Sequence, residues 1–187
     1  WMSWFAPSLG YVCRHAGCRT IAIMDNVIPH EKKFFDRPLS RWFLRSCSGC
    51  IAMSRAVLDD MLALTPDKPW RLLDHPLYDH FGAKTDRGLA CSELGLDPSK
   101  RNLLFFGLIR DYKGLDLLLE AMKHLDERYN LVIAGESYGD FSRYSDAIAA
   151  LGTRCKVFCR YIGDEQVPSF FSASDLCILP YKSATQS

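Results

Sequence analysis

Leu103-Leu104-Phe105-Phe106-Gly107-Leu108-Ile109-Arg110-Asp111-Tyr112-Lys113-Gly114 is the stretch on which the reading of the fold turns. Four apolar residues run into Gly107, and Gly114 opens a segment, 114–125, whose apolar residues recur at helical spacing. A short buried strand, a glycine-bounded loop and a helix make the first half of a strand-helix-strand unit.

Working outward, the pattern repeats. Strands are expected at 131–134, 157–161 and 176–179, separated by helices at 141–151 and 167–173. Upstream, a helix over 3–15 precedes a strand at 20–24. Pro38 and Ser40 introduce a helix that runs to about Cys47, a strand covers 50–53, Ser54 caps a further helix, and 71–73 begins another strand. Strands alternating with helices of this length predict an α/β fold with doubly wound parallel sheets. Residues 74–87 follow no period and hold Pro76, Gly82, His75 and His80, as an interdomain linker and hinge would. The boundary is therefore expected near Asp86, giving domains over 1–86 and 87–187.

The length of 187 residues exceeds one domain and falls short of two full doubly wound domains of roughly 150 residues each. Lys and Arg total 23 against 22 acidic residues, so no global basic field exists to recruit nucleic acid, and any anion binding must be local. No apolar run approaches the roughly 20 residues that span a bilayer. Eight cysteines are too few for a disulfide scaffold and read as reduced thiols of a cytoplasmic protein. Cys47-x-x-Cys50 with Cys13 and Cys18 is the alternative, a four-thiolate zinc set, but the expectation adopted is that no metal is bound. The chain opens at Trp1 without a signal-peptide pattern and stops in a polar run at Ser187, so it reads as cut at both ends.

In an open α/β sheet ligands bind beyond the carboxyl ends of the strands. The loop after 103–106 puts Arg110 and Lys113 beside free backbone N–H groups at a helix start. A planar guanidinium fork and a compact ammonium there suit a diphosphate. The competing reading is that both cations only solvate the loop or pair with Asp111. The loop has neither the GxGxxG of dinucleotide folds nor the GxxxxGK[ST] of P-loops. Gly135 and Glu136 follow the next strand, where glycine allows close approach and the carboxylate can accept from a hydroxyl. Ser183, Thr185, Gln186 and Ser187 supply a polar loop after Pro180 that can bond phosphate or sugar. In the first half, Asp25, Asn26 and His30 follow a strand and are the candidates for acid or base work, or else a turn with a structural histidine.

Taken together these segments resemble the glycosyltransferase group 1 family of retaining GT-B enzymes over almost the whole chain. The resemblance rests on 105–121, Ala134-Gly135-Glu136, and Phe170-Phe171-Ser172-Ala173-Ser174-Asp175-Leu176-Cys177-Ile178-Leu179-Pro180-Tyr181. It implies parts of two Rossmann-like domains, acceptor-side over 1–86 and donor-binding over 87–187, and transfer of a sugar from a UDP- or GDP-linked donor. The acceptor would be a glycan, a lipid-linked molecule or a small molecule. It also implies that Arg110, Lys113 and Gly107 hold the donor diphosphate, that the backbone around Tyr161 and Ile162 borders the base, and that Glu136 and 183–187 meet sugar and phosphates. The implied chemistry needs no metal or other cofactor, and the implied place is the cytoplasm, with peripheral association at the inner face of a membrane. Two departures stand out. Asp25 replaces the histidine of the His-Asn-Val-x-Pro-His-Glu motif, and 183–187 lacks the family's glutamate. The alternative is therefore a non-catalytic nucleotide- or sugar-binding module of the same fold, and the recorded piece by itself is expected to be inactive.

Overall fold

A computed structural model describes residues 5–17, 19–27 and 34–182. The chain forms two compact units, one reaching to Leu77 and the other starting at Tyr78. The division falls before the expected position near Asp86, because residues 78–85 belong with the second unit. The Thr85 N–H, for example, donates to Ser172 Oγ at 3.0 Å.

The first unit alternates α1 (Ala6–His15), β1 (Ile21–Met24), α2 (Asp36–Ser46), β2 (Gly49–Ala52), α3 (Arg55–Leu64) and β3 (Trp70–Leu72). Its three strands are parallel in the order β1-β2-β3. Ser54 caps α3 as its sequence predicts, with Oγ accepting from the Val57 N–H at 3.3 Å. Val57, Leu58 and Met61 of α3 pack on Met24 and Ala52 of the sheet and on Leu44 of α2.

The second unit holds α4 (Arg87–Leu94), β4 (Arg101–Phe106), α5 (Leu115–Met122), β5 (Tyr129–Ala134), α6 (Ser145–Leu151), β6 (Cys155–Phe158), α7 (Val167–Ala173) and β7 (Leu176–Cys177). Helix α4 was not expected from the sequence. Its interior carries Gly88, Cys91 and Ser92, so its propensity is weak, and it stands on its ends: Asp86 accepts from the Leu89 N–H at 3.0 Å, and Gly95 closes it at φ 62°. The expected helix over 141–151 begins as a 3₁₀ turn, Phe141–Tyr144, because Asp140 caps Ser142 one turn early.

All strands of this sheet are parallel, in the order β6-β5-β4-β7. Successive residues of β4 and β5 face opposite layers. Leu103, Phe105, Leu131 and Ile133 pack with Leu115, Leu119 and Met122 of α5, whereas Leu104, Val132 and Ala134 pack with Ala90, Phe170 and Ala173 of α4 and α7. The chain builds from β4 to β5 and β6 on one side and then returns to β7 on the other. That reversal opens a crevice at the carboxyl ends of β4 and β7.

The opposite, amino-terminal end of the sheet is tied by a polar network that runs from the surface into the core. Asp175 accepts from Arg87 (3.0 Å), Arg101 (2.9 Å) and the Asn102 N–H (2.8 Å), and Asn102 Nδ2 donates to the Ala173 carbonyl at 3.0 Å. Burial alone would raise the Asp175 carboxyl, but these three donors outweigh it and hold the group below the usual carboxylate range.

Candidate functional site

At the switch point, two glycines bring the loops after β4 and β5 together. Gly107 leaves β4 at φ 94°, and Gly135 leaves β5 at φ 145° with its Cα against the Gly107 carbonyl, where any Cβ would collide. The strands then continue as loops in parallel: the Ile109 N–H donates to the Glu136 carbonyl (2.8 Å) and the Tyr138 N–H to the Ile109 carbonyl (3.0 Å). On the other side the Lys182 N–H donates to the Tyr112 carbonyl at 2.8 Å, tying in the segment after β7.

Within this frame Ile109 is buried and anchors the loop, while Arg110 and Lys113 are half-buried. The Arg110 guanidinium lies 4.6 Å from the ring centroid of Tyr138, and the Lys113 ammonium 5.7 Å from that of Tyr181. The Lys113 ammonium folds back over Gly107, so near that a Cβ there would come within 3.2 Å of it. Burial, reinforced by the neighbouring Arg110 charge, pulls the Lys113 ammonium below the ordinary lysine range.

Asp111 is not the partner of either cation. It binds Arg143 at 2.7 Å and Lys182 at 3.4 Å, and Lys182 also reaches Asp116 at 2.8 Å. The bond from Arg143, then the charge of Lys182, lowers the Asp111 carboxyl. Among the described residues no ion pair joins Arg110 or Lys113 to a carboxylate, and the buried Arg110 Nε has no hydrogen-bond partner. Two cations held together, partly desolvated and without a counter-charge, form a site that an anion would stabilise. The reading in which these side chains merely pair with Asp111 is therefore corrected: that carboxylate is taken by residues distant in sequence.

Glu136 follows Gly135 at the same strand end and is exposed. Tyr161 is exposed, and its carbonyl accepts from Arg160 at 3.1 Å. Ile162 is buried in the α4/α7 layer. In the first unit Asp25 and Asn26 follow β1 directly, at the carboxyl end of that sheet. His30, Ser183, Thr185, Gln186 and Ser187 lie outside the described residues.

Of the thiols, Cys13, Cys47 and Cys50 lie near one another. Burial first, then these neighbours, push the Cys47 thiol up to about 12. Among the described residues no group of three or more His, Cys, Asp or Glu side chains is arranged to hold a metal ion, and Cys18 lies outside them. Sequence reasoning passed over Tyr138 and Tyr181, the aromatic faces under the two cations. Their signal was faint: each follows a strand end by a few residues. It also missed a cleft of about 600 Å3 in the second unit, lined by Tyr78, Phe81, Lys84, Phe106 and Phe171.

A doubly wound parallel sheet that reverses its strand order at a switch point defines a Rossmann-like α/β protein. The particular family follows from comparison: the model of glycosyl transferases group 1 matches residues 90–185, and the chain belongs to that family. The chain is 30% identical over 169 residues to a GDP-mannose:glycolipid 4-beta-D-mannosyltransferase of Xanthomonas campestris pv. campestris, covering 89% of this chain and 44% of that one. It is 28% identical over 105 residues to the lipopolysaccharide core biosynthesis mannosyltransferase LpsB of Rhizobium meliloti, covering 52% of this chain and 29% of the relative. Among solved structures it resembles Anabaena Alr3699/HepE in complex with UDP, with a TM-score of 0.78 at 14% identity, over 97% of this chain and 52% of that one. The chain thus spans less than half the length of the curated relatives it matches, and the fold is that of parts of the two Rossmann-like domains of a GT-B protein.

Proposed function

We propose that the protein transfers a glycosyl group from a UDP- or GDP-linked sugar to a carbohydrate or lipid-linked acceptor. The observation that carries this reading is the pair of half-buried cations, Arg110 and Lys113, without a carboxylate partner among the described residues, at the strand ends of the second unit. In the reaction the bond from the sugar C1 to the diphosphate oxygen breaks, its electrons staying with the diphosphate. The acceptor hydroxyl oxygen forms the new bond to C1, and its proton passes to the departing diphosphate. Arg110 and Lys113 offset the charge that grows on the departing diphosphate, which favours the transition state over the bound donor. Gly107 lets the backbone approach the phosphates, Glu136 accepts from a sugar hydroxyl, and the main chain at Tyr161 and Ile162 borders the base.

The remaining roles are assigned by the resemblance. The first unit takes the acceptor, with Asp25, Asn26 and His30 on its side, and Ser183, Thr185, Gln186 and Ser187 meet the donor. The cations do the work that a metal does elsewhere, so transfer is read as metal-independent. The place of action is the cytoplasmic face of a membrane, with peripheral association; no helix among the described residues is long and apolar enough to cross one. Both named relatives are mannosyltransferases, one of them acting on a glycolipid, which supports a lipid-borne acceptor.

The resemblance favours retention. The β linkage in the name of the Xanthomonas enzyme favours inversion, because a β-mannoside made from an α-linked donor has inverted C1. Incubating the full-length protein with GDP-mannose or UDP-glucose and a lipid extract, then reading nucleotide release and the anomeric configuration of the product, tests both points. Binding of the nucleotide without turnover would favour the non-catalytic module instead.

A further inference from the structure

We infer that Arg143 is a positioning residue for the diphosphate site: it holds the Asp111 carboxylate away from Arg110 and Lys113, so that the two cations stay open to an anion. This rests on the donor-site reading given above. Asp111 follows Arg110 directly and stands two residues before Lys113, so it is the carboxylate best placed along the chain to neutralise the pair. It is turned elsewhere. Arg143 Nη2 donates to Asp111 Oδ1 at 2.7 Å, and the Lys182 ammonium reaches the same oxygen at 3.4 Å while bonding Asp116 at 2.8 Å. One of these cations comes from the connection after β5 and the other from the segment after β7. The carboxylate is thus held from the loops on both sides of its own.

An ion pair between exposed side chains is ordinarily weak, because fixing two flexible chains costs entropy. Here the guanidinium is held independently of the carboxylate. Arg143 sits in the 3₁₀ turn Phe141–Tyr144, which Asp140 caps by accepting from the Ser142 N–H at 2.9 Å. Its guanidinium lies 5.1 Å from the ring centroid of Tyr144, and Tyr144 is buried in the α5 layer with its ring 5.7 Å from that of Phe141. Lys182 does not substitute for Arg143, since its contact with Asp111 is the longer and Asp116 shares its ammonium. The Asp111 side chain is mostly exposed and is free to rotate once the guanidinium is removed. It then turns to the uncompensated cations and competes with the diphosphate for them.

The test is a double-mutant cycle on the full-length protein, read as the dissociation constants of GDP and UDP by calorimetry. R143Q should weaken the nucleotide that binds by about fivefold, the size of one exposed ion pair turned against the ligand. R143K keeps a cation at the position and should restore most of the affinity. D111N alone should stay within about twofold of the parent, and R143Q/D111N should return to within about twofold of it, because the competing carboxylate is gone. Melting temperatures show that the variants are folded, and R143M, which keeps the stem over Tyr144, repeats the cycle if R143Q melts low. Three results overturn the inference: unchanged affinity in the folded Arg143 variant, no rescue by D111N as a merely structural role requires, or an equal effect of D111N in both backgrounds as a direct contact of Arg143 with the donor requires. The same cycle run with inorganic pyrophosphate separates this inference from the reading it rests on. The coupled pattern with pyrophosphate in a protein that binds neither GDP nor UDP would sink the transferase reading alone. Nucleotide binding without the pattern would sink this inference alone, and binding of none of the three would sink both.

Discussion

Gly114 lies against the carbonyl of Pro180 so closely that a side chain at 114 would collide with it, and Gly114 holds φ 72° while doing so. This contact joins the loop after β4 to the segment after β7 across the switch point. Gly114→Ala should therefore cost about 1–3 kcal/mol of stability through strain and displaced backbone. Nucleotide affinity should fall with it, since both loops border the site. Chemical denaturation beside nucleotide titration checks the pair of effects; an unaltered midpoint would show that the close approach is unimportant.

Lys113 gives a pH signature. Its ammonium is held below the ordinary 10.5 by burial and by Arg110. For a lysine so depressed, the penalty of keeping it charged is full below the folded value and is relieved as pH rises through it. A bound diphosphate adds negative charge and restores the ammonium, so binding should take up protons at pH values between the depressed lysine value of the free protein and the ordinary lysine range. Calorimetry in buffers of different ionisation enthalpy reads the uptake, and Lys113→Ala should abolish it.

Asp175 anchors the other end of the same sheet. Its carboxyl is depressed, so the stability it gives is present at neutral pH and is lost as pH falls through the folded value. Asp175→Asn leaves Arg87 and Arg101 without their shared carboxylate charge, turns one of the two acceptor oxygens into a donor, and should cost about 2–3 kcal/mol at neutral pH. The gap between parent and variant should narrow in acid, which melting curves across pH will show.

The thiols should react unequally. Cys159 is exposed, whereas Cys47 is buried with its thiol pushed up to about 12. Alkylation at neutral pH, followed by peptide mapping, should label Cys159 first and spare Cys47 until the protein unfolds.

Much of this was legible in the sequence because each feature is local. The apolar run into Gly107 and the helix from Leu115 set β4 and α5, and Ser54 marked its helix by its own side chain. Helix α4 escaped because it is short, Gly88, Cys91 and Ser92 interrupt its helix formers, and its ends at Asp86 and Gly95 and its packing against α7 fix it. The freedom of Arg110 and Lys113 from Asp111 was also hidden, since it depends on Arg143, 32 residues away. Burial of Ile162 is likewise a tertiary fact: it follows from packing against α4 and α7.

The most direct test of the donor site is calorimetric titration of the full-length protein with GDP, UDP and NAD, with Arg110→Ala and Lys113→Ala alongside. One nucleoside diphosphate should bind, and each substitution should weaken it about 10- to 100-fold, as loss of a charged hydrogen bond to phosphate requires. Binding that is unchanged in both variants, or confined to NAD, would contradict the assignment of these two cations to the donor diphosphate.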